Sequence, residues 1–254
     1  MINLLRLYSI NLYSISLLLS TLLLAACGSP EPQPLVFNAA PWQAGEVSTY
    51  QITGRDGQAA GSARYEMIAG GEHVAPTDWT IRRTVETADG TEEVAVEVEA
   101  EGLRPLFSSF IRKTTQGELT LLANYNQGEI NLESTSEQGI KSYETASVPS
   151  DVRDQRALLQ LVRALPLAAD YATKINAYLP VSNLYEPMDV QVVKSEQVTV
   201  PAGEFSTWLV RMETNSGRTE AWIAQEPPYV LVKATDSRSG GTFLLTSFQP
   251  RMTR

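Results

Sequence analysis

Residues 79–98, WTIRRTVETADGTEEVAVEV, decide the fold of this chain. Apolar and polar side chains alternate on both sides of Asp89-Gly90, and an Asp-Gly pair between alternating segments favours a tight two-residue turn. The pattern therefore predicts a β-hairpin that joins 78–87 to 91–100. Counting outward from the turn gives the expected cross-strand pairs: Val85 with Val94, Arg83 with Val96, Arg82 with Glu97, and Ile81 with Val98.

The two faces of this hairpin differ in polarity, because successive residues of a strand point to opposite sides. The inward face is predicted to carry Trp79, Ile81, Val85, Val94, Val96 and Val98. The acidic row of Glu93, Glu97 and Glu99 lies on the other face. We interpret this row as solvated, with Arg82–Glu97 as a weak surface pair, rather than as a metal site.

Arg83 is the exception, because it places a charge on the apolar face. A guanidinium stays charged, and burying it without a partner costs several kcal/mol. Three outcomes are open: Arg83 pairs with a carboxylate from another strand, it reaches water at a cavity mouth, or the register slips at Asp89-Gly90. A cation at the rim of an apolar pocket would suit the head group of an acidic lipid or fatty acid, and Tyr50 and Tyr65 could line the same wall.

The same turn signal occurs earlier, where Asp56-Gly57 joins 46–54 to 58–68. Centring the turn there places Ile52 opposite Gly61 and Tyr50 opposite Ala63. One face is then predicted to carry Tyr50, Ile52, Ala63, Tyr65 and Met67. Further strands are predicted at 104–113, 118–125, 129–135, 139–146, 171–180, 188–199, 205–214, 218–225, 228–235 and 242–248.

One segment changes period and predicts a helix over 151–165. Its apolar stripe consists of Leu158, Leu161, Val162 and Leu165, its expected N-cap is Asp151, and Pro166 ends it. Arg153, Arg156, Gln160 and Arg163 are expected on its other faces. The fold class is therefore all-β: a strongly curved antiparallel sheet or open barrel, with one helix that plugs a face of the sheet. A mobile lid is the alternative role for the helix.

The N-terminus predicts export. An apolar run over 14–26 follows Arg6, the only charged residue before it, and ends in Leu24-Ala25-Ala26-Cys27, which resembles the lipobox of bacterial lipoproteins. The resemblance implies a signal peptide over 1–26 and a Cys27 that carries acyl chains such as palmitate. A plain secretory signal and an uncleaved membrane anchor are the alternatives. Alternating prolines predict a disordered tether over 27–41, followed by one domain over 42–254.

The amino-acid composition argues against several classes of binding partner. The net charge is −9, with 29 Asp and Glu against 20 Lys and Arg. Such an acidic chain argues against nucleic acid and against a second, electrostatic contact with a membrane. Its single cysteine, Cys27, excludes a disulfide framework and a cysteine metal cluster. The single histidine, His73, and the lack of a G-x-S-x-G, phosphate-loop or HExxH motif give no reason to expect an enzyme, a cofactor or a metal.

Three motifs carry a resemblance that covers most of 42–248. They read WQAGEVSTY over 42–50, VPAGEFSTW over 200–208 and TEAWIA over 219–224. In them the sequence resembles an uncharacterised family of exported bacterial β-rich domains, known as a domain of unknown function. The resemblance implies an open, curved sheet, similar to the periplasmic carriers that shield lipoprotein acyl chains. It implies a turn at Ala202-Gly203, core positions for Phe205 and Trp222, and no catalytic residues.

These observations together predict a membrane-anchored, extracytoplasmic lipoprotein of a bacterial cell envelope, without catalytic activity. Its curved sheet is expected to bind an apolar ligand, such as a lipid, or a segment of a partner protein. A structural or assembly factor of the envelope, with a core filled by its own side chains, is the alternative, and a hydrolase is the least favoured. An open pocket of several hundred Å3 would favour the first over the second.

Overall fold

The computed structural model describes residues 30–251. Fifteen strands form one sheet in these residues: β1 (Glu46–Thr53), β2 (Ala59–Ala69), β3 (Trp79–Thr87), β4 (Gly90–Val98), β5 (Pro105–Thr114), β6 (Gly117–Asn126), β7 (Glu129–Thr135), β8 (Lys141–Ser147), β9 (Arg153–Asp154), β10 (Ala172–Leu179), β11 (Leu184–Val200), β12 (Gly203–Thr214), β13 (Gly217–Ala224), β14 (Leu231–Asp236) and β15 (Thr242–Gln249). One short α-helix, α1 (Leu158–Leu161), lies between two 3-10 turns, Gln155–Ala157 and Val162–Ala164, and a third such turn spans Pro180–Ser182.

The sheet consists of two meanders joined in the middle. Its strand order is β8-β7-β6-β5-β4-β3-β2-β1-β15-β14-β13-β12-β11-β10-β9, so β1 and β15 join the two halves. Every neighbouring pair is antiparallel except β9 with β10, which is parallel. The ends of the sheet do not pair with each other, and the predicted fold class, a mainly β open sheet with one helix, is confirmed.

The first hairpin has the predicted register. Tyr50 pairs with Ala63 and Ile52 pairs with Gly61. The shared face is buried as expected for Tyr50, Ile52, Ala63, Tyr65 and Met67.

The second hairpin differs from its predicted register by two residues. Arg83 pairs with Val94 rather than with Val96, and Thr87 pairs with Gly90, so the turn is centred on Ala88-Asp89. The reason lies in the neighbouring strand: a Cβ on Gly90 would lie 2.0 Å from the carbonyl oxygen of Lys113. Gly90 is needed where β4 meets β5, not at the turn centre. Because the shift is an even number of residues, every side chain stays on its predicted face.

The predicted helix over 151–165 is too long. Residues 153–154 form β9, and only α1 has α-helical geometry. Asp154, not Asp151, caps the segment by accepting a hydrogen bond from the backbone N–H of Arg156 at 2.9 Å. The carboxylate of Asp151 instead accepts a hydrogen bond from Asn176 at 2.7 Å. The apolar stripe is buried as expected for Leu158, Leu161, Val162 and Leu165.

The polar residues of this segment, which we expected on its other faces, are also buried. The buried set consists of Arg153, Arg156, Gln160 and Arg163. A helix that is enclosed on all sides lies inside a fold rather than on its surface. Their charges and amides must therefore find partners inside the protein.

Residues 33–40 lie against the domain, although we expected a disordered tether over 27–41. Gln33 forms a bridge with Thr173, and the backbone N–H of Asn38 donates to the carbonyl of Ala164 at 2.8 Å. Leu35 and Phe37 pack against the core. The compact unit accordingly includes Pro32, ten residues before the expected boundary at Trp42.

The predicted signal peptide and Cys27 lie outside the described residues. Within residues 30–251, no helix combines the length and the apolar character that a membrane crossing requires.

Leu161→Ala is expected to lower the free energy of unfolding by about 2–5 kcal/mol, the usual cost of truncating a buried leucine. Leu161 is fully buried in α1. Chemical denaturation monitored by circular dichroism measures the change, and Leu184→Ala, at a 42% exposed position, is the matched control. A loss below about 1 kcal/mol would mean that the helical segment is loosely held.

Candidate ligand cavity

A cavity of about 490 Å3 lies between the two halves of the sheet. Its walls come from three parts of the chain. β3 and β4 supply Arg83, Val85 and Glu92, and the helical segment supplies Gln155, Arg156, Leu158 and Leu159. The second half of the sheet supplies Met188, Met212, Thr219, Ala234, Thr235, Asp236, Arg238, Ser239 and Phe243.

The position of this cavity shows how strongly the sheet is curved. β4 and β11 are eight positions apart in the strand order, yet Glu92 and Met188 line the same space. In a flat sheet, eight strand spacings would separate them by roughly 38 Å. At the ends of the sheet, Asn183 donates a hydrogen bond to Glu144 of β8 at 2.5 Å.

Much of the cavity lining is apolar. Its larger apolar side chains, here called the apolar wall, are Val85, Leu158, Leu159, Met188, Met212 and Phe243. Two of these residues are methionines, whose flexible thioether side chains adapt to irregular shapes. This wall can therefore accept a flexible apolar group.

Arg83 lines the same cavity and combines the three outcomes that were open for it: a carboxylate partner, a position at the cavity and a shifted hairpin register. Its Nη2 donates to Oε1 of Glu92 on the neighbouring strand, and both residues line the cavity. The side chain of Arg83 is 18% exposed. Burial by itself lowers the pKa of Arg83, but the electrostatic effects of Tyr65 and Glu92 outweigh it and raise the pKa. The guanidinium therefore stays charged inside the protein.

Tyr50 and Tyr65, the other two residues expected at the pocket, are not among the residues that line the cavity. Both are buried, and their rings pack edge to face with centroids 5.8 Å apart. The hydroxyl of Tyr50 donates to the carbonyl of Leu231 at 2.8 Å. Burial raises the pKa of Tyr50, so its hydroxyl stays protonated. Tyr65 pairs with Arg83 across β2 and β3.

Arg156 also lines the cavity, and its Nε and Nη2 are bonded while its buried Nη1 has no hydrogen-bond partner among the described residues. Its Nε and Nη2 bond the two carboxylate oxygens of Asp154 at 3.0 and 2.7 Å, and Nη2 also donates to Ser108 at 2.5 Å. Tyr125 donates its hydroxyl proton to the same carboxylate at 2.7 Å. This buried group fixes the start of the helical segment against β5 and β6.

A second buried group holds the end of the helical segment. Nη1 of Arg163 donates to Glu46 and to Gln160, each at 2.7 Å. Its Nε and Nη2 donate to the carbonyls of Tyr229 and Pro228 at 3.0 and 2.9 Å. Neither group was predicted from the sequence, because the apolar stripe of the segment gives no sign that its arginines are buried.

The acidic row of β4 also needs a correction, because Glu97 is buried rather than solvated. Its carboxylate accepts hydrogen bonds from the backbone N–H groups of Glu72 and His73 at 3.0 and 2.9 Å. Nδ1 of His73 lies 3.4 Å from Glu97 Oε2. The expected Arg82–Glu97 pair is replaced by a distant contact of Arg82 with Glu66 at 3.9 Å. Glu97 thus braces the loop before β3, away from the cavity.

The motif residues of the sequence resemblance have structural positions. Gly203 begins β12 and pairs with Val200, so the turn lies at Pro201-Ala202, one residue before the expected Ala202-Gly203. Trp222 is buried and donates its indole N–H to Glu196 at 2.8 Å. Phe205 is partly buried and packs against the core.

These features define a class of protein: a mainly β domain whose open, curved sheet surrounds a short helical segment and a cavity. The chain belongs to the family described as "Protein of unknown function (DUF3108)", whose model matches residues 49–246. The family resemblance drawn from the three sequence motifs is thereby confirmed. No curated protein matches this sequence.

One of three similar solved structures supports the fold. A β-barrel-like protein of the domain of unknown function DUF1849 from Brucella abortus has a TM-score of 0.55 at 10% identity, over 84% of this chain and 100% of that one. A predicted exported protein with a YmcC-like fold from Bacteroides fragilis has a TM-score of 0.32 at 14% identity, over 84% and 100%. A predicted lipoprotein from Parabacteroides distasonis has a TM-score of 0.30 at 12% identity, over 84% and 99%. The last two TM-scores are too low to support a shared fold.

Proposed function

We propose that this protein is an exported, lipid-anchored binding protein of a bacterial cell envelope that holds an apolar ligand in its cavity without transforming it. The cavity carries the proposal. Its volume of about 490 Å3 lies within the range of roughly 300–1,000 Å3 that is typical of small-molecule pockets. Its apolar wall and few polar groups are also typical of such sites.

The open cavity favours ligand binding over the alternative, an assembly factor whose own side chains fill the core. In a filled core, interior voids larger than a water molecule are few. The space between Met188, Met212 and Phe243 is far larger than one water. An apolar ligand that enters this space also gains contact with the apolar side chains that line it.

Filling the cavity should abolish ligand binding. Ala234 is buried and lines the cavity, so Ala234→Phe places a ring where the ligand would lie. Native mass spectrometry of the full chain, purified from its own envelope and released from detergent, measures bound lipid. We expect a lipid adduct on the wild-type chain and none on the variant. Ala59→Phe, which adds the same ring at an exposed position of β2, is the control.

Two results would contradict the proposal. One is a wild-type chain without any adduct. The other is an adduct that survives in Ala234→Phe at the level of the control, because the ligand would then bind elsewhere. The melting temperature of each variant verifies that the chain remains folded.

The proposed anchor is the acylated thiol of Cys27. Cys27→Ser is expected to move the protein from the membrane fraction to the soluble fraction of the envelope, because the acyl chains would be lost. Fractionation followed by immunoblotting measures this shift, with Ser29→Ala as the control. A Cys27→Ser chain that stays in the membrane with an uncleaved N-terminus would favour the transmembrane alternative.

A further inference from the structure

We propose that the ligand of the cavity is an acidic single-chain amphiphile, such as a fatty acid, and that its anionic head group replaces Glu92 as the partner of Arg83. This inference rests on the proposed function, since it names the class of ligand that the cavity holds. It depends on differences between the arginines of the cavity in their hydrogen bonds and in the burial of their carboxylate partners.

Within the described part of the chain, Arg156 has a buried Nη1 without a hydrogen-bond partner, but its guanidinium is held in place by a carboxylate that cannot turn toward water. It forms a two-point ion pair with Asp154, which is fully buried, and bonds Ser108 as well. Breaking that pair to bind a ligand would leave Asp154 charged and unpaired inside the protein, which is strongly unfavourable.

Arg238 lines the cavity at an exposed position, and its carboxylate contact lies within its own loop. Its nearest carboxylate oxygen belongs to Asp236, at 3.7 Å, and its side chain is 42% exposed. Asp236 in turn accepts hydrogen bonds from the backbone N–H groups of Arg238 and Ser239, each at 2.9 Å. Water screens an exposed cation of this kind, so it discriminates weakly between ligands.

Arg83 differs from Arg156 in two respects: it makes fewer hydrogen bonds, and its carboxylate partner is closer to water. A guanidinium has five N–H donors. Within residues 30–251, Arg83 makes one side-chain hydrogen bond, to Glu92, and its buried Nε has no partner. The partner is the more exposed of the two, with 31% of the Glu92 side chain accessible against 18% for Arg83.

This asymmetry makes Glu92 replaceable. Glu92 can turn toward water, whereas Arg83 is held between the cavity and the core. A carboxylate or phosphate that enters the cavity offers two oxygens to a guanidinium, in the geometry that arginine recognises best. The same ligand places its apolar chain against the wall formed by Leu159, Met188, Met212 and Phe243. Charge and apolar surface together select an amphiphile over a neutral lipid or a small anion.

Photo-labelling of the full, membrane-anchored chain tests this inference. The probes are palmitic acid with a diazirine in its chain and the matching diazirine-bearing hexadecanol, and mass spectrometry counts label in peptides that carry Met188, Met212 or Phe243. We expect the acid to label more strongly than the alcohol. Arg83→Met should reduce labelling by the acid roughly ten-fold to a hundred-fold, the value of one charged hydrogen bond, and leave the alcohol unchanged. Arg82→Met, on the opposite face at a 50% exposed position, should change neither probe.

Glu92→Gln gives the decisive comparison, because it removes the competing carboxylate. If Glu92 holds the place of the ligand, this variant should raise labelling by the acid several-fold, opposite in direction to Arg83→Met. If the pair is only a structural contact, both variants should reduce labelling or leave it unchanged, and the inference is overturned. Arg83→Lys, which keeps the charge, should retain part of the labelling and separates loss of charge from loss of fold.

The remaining outcomes distinguish a failure of this inference from a failure of the proposed function. Equal cavity labelling by acid and alcohol, in the wild type and in Arg83→Met, keeps the apolar site but overturns the acidic head group. No cavity label from either probe overturns the proposed function itself. Unlabelled competitors give a further test. If inorganic phosphate or acetate suppresses labelling by the acid probe at the same concentration as palmitate does, the site binds small anions, and the proposal of an amphiphilic ligand is overturned.

Discussion

Arg163→Met is expected to lower the free energy of unfolding by about 3–5 kcal/mol, the usual effect of breaking a buried ion pair from one side. The side chains of Arg163 and Glu46 are 0% and 1% exposed. Without the guanidinium, the carboxylate of Glu46 remains buried without its partner, and the carbonyls of Pro228 and Tyr229 lose their donors. Chemical denaturation monitored by circular dichroism measures the loss.

Arg104→Met is the matched control for this substitution. Arg104 bonds both carboxylate oxygens of Glu99 at 2.7 and 3.2 Å, but its side chain is 46% exposed. Exposed pairs of this kind contribute at most about 1 kcal/mol. Equal losses in the two variants would show that burial does not set the strength of the Arg163 group.

A double substitution distinguishes the cost of an unpaired buried charge from the cost of lost packing and hydrogen bonds. Replacing both members of a buried pair by apolar residues of similar size is often close to neutral. Arg163→Met combined with Glu46→Leu should therefore recover a large part of the stability that Arg163→Met alone removes. A double variant that is less stable than either single variant would mean that the hydrogen bonds to Pro228 and Tyr229 dominate.

The strands were predictable from sequence because their signals are local. Alternation and Asp-Gly turns depend on a few neighbouring residues, and the register of the Asp56-Gly57 hairpin followed directly. The register at Asp89-Gly90 differed from the prediction because Gly90 is needed for close contact with Lys113 of β5, 23 residues further along the chain (113 − 90). Local reasoning cannot distinguish a turn glycine from one required by a neighbouring strand.

The candidate site was only partly predictable, for a related reason. Arg83 was identified by a conflict between its charge and its face, which is a local signal. Arg156 and Arg163 fit the polar side of an amphipathic helix, and their partners Ser108 and Glu46 lie 48 and 117 residues away. The cavity itself exists only because strands far apart in the sheet curve toward each other. The curvature and these distant partners leave no pattern in neighbouring residues, whereas the ion pair of Arg156 with Asp154, two residues before it, is local.

Asp154→Asn is expected to cost about 3–5 kcal/mol at pH 7, because it leaves the charge of Arg156 buried and unpaired. The Asp154 side chain is fully buried and receives hydrogen bonds from the Arg156 guanidinium, the Arg156 backbone and the Tyr125 hydroxyl. Burial alone would raise the pKa of this carboxyl, but the charge and hydrogen bonds of Arg156 outweigh burial and lower the pKa below its ordinary value of 3.8.

The lowered pKa gives this prediction a pH dependence with a definite sign. A carboxyl whose pKa is lower in the folded state stabilises the fold above its unfolded pKa, and that stability is lost as the pH falls through the folded value. Asparagine cannot titrate, so it lacks this contribution at every pH. The difference in unfolding free energy between wild type and Asp154→Asn should therefore be constant near neutral pH and shrink as the pH falls below 3.8.

Denaturation curves at a series of pH values measure this difference, and Asp89→Asn serves as the control at an exposed turn position. The control should stay close to the wild type at every pH. If the gap between wild type and Asp154→Asn stays constant below pH 3.8, the Asp154–Arg156 pair does not titrate with unfolding. Arg156 would then not depend on a charged partner and could bind an anionic head group as readily as Arg83.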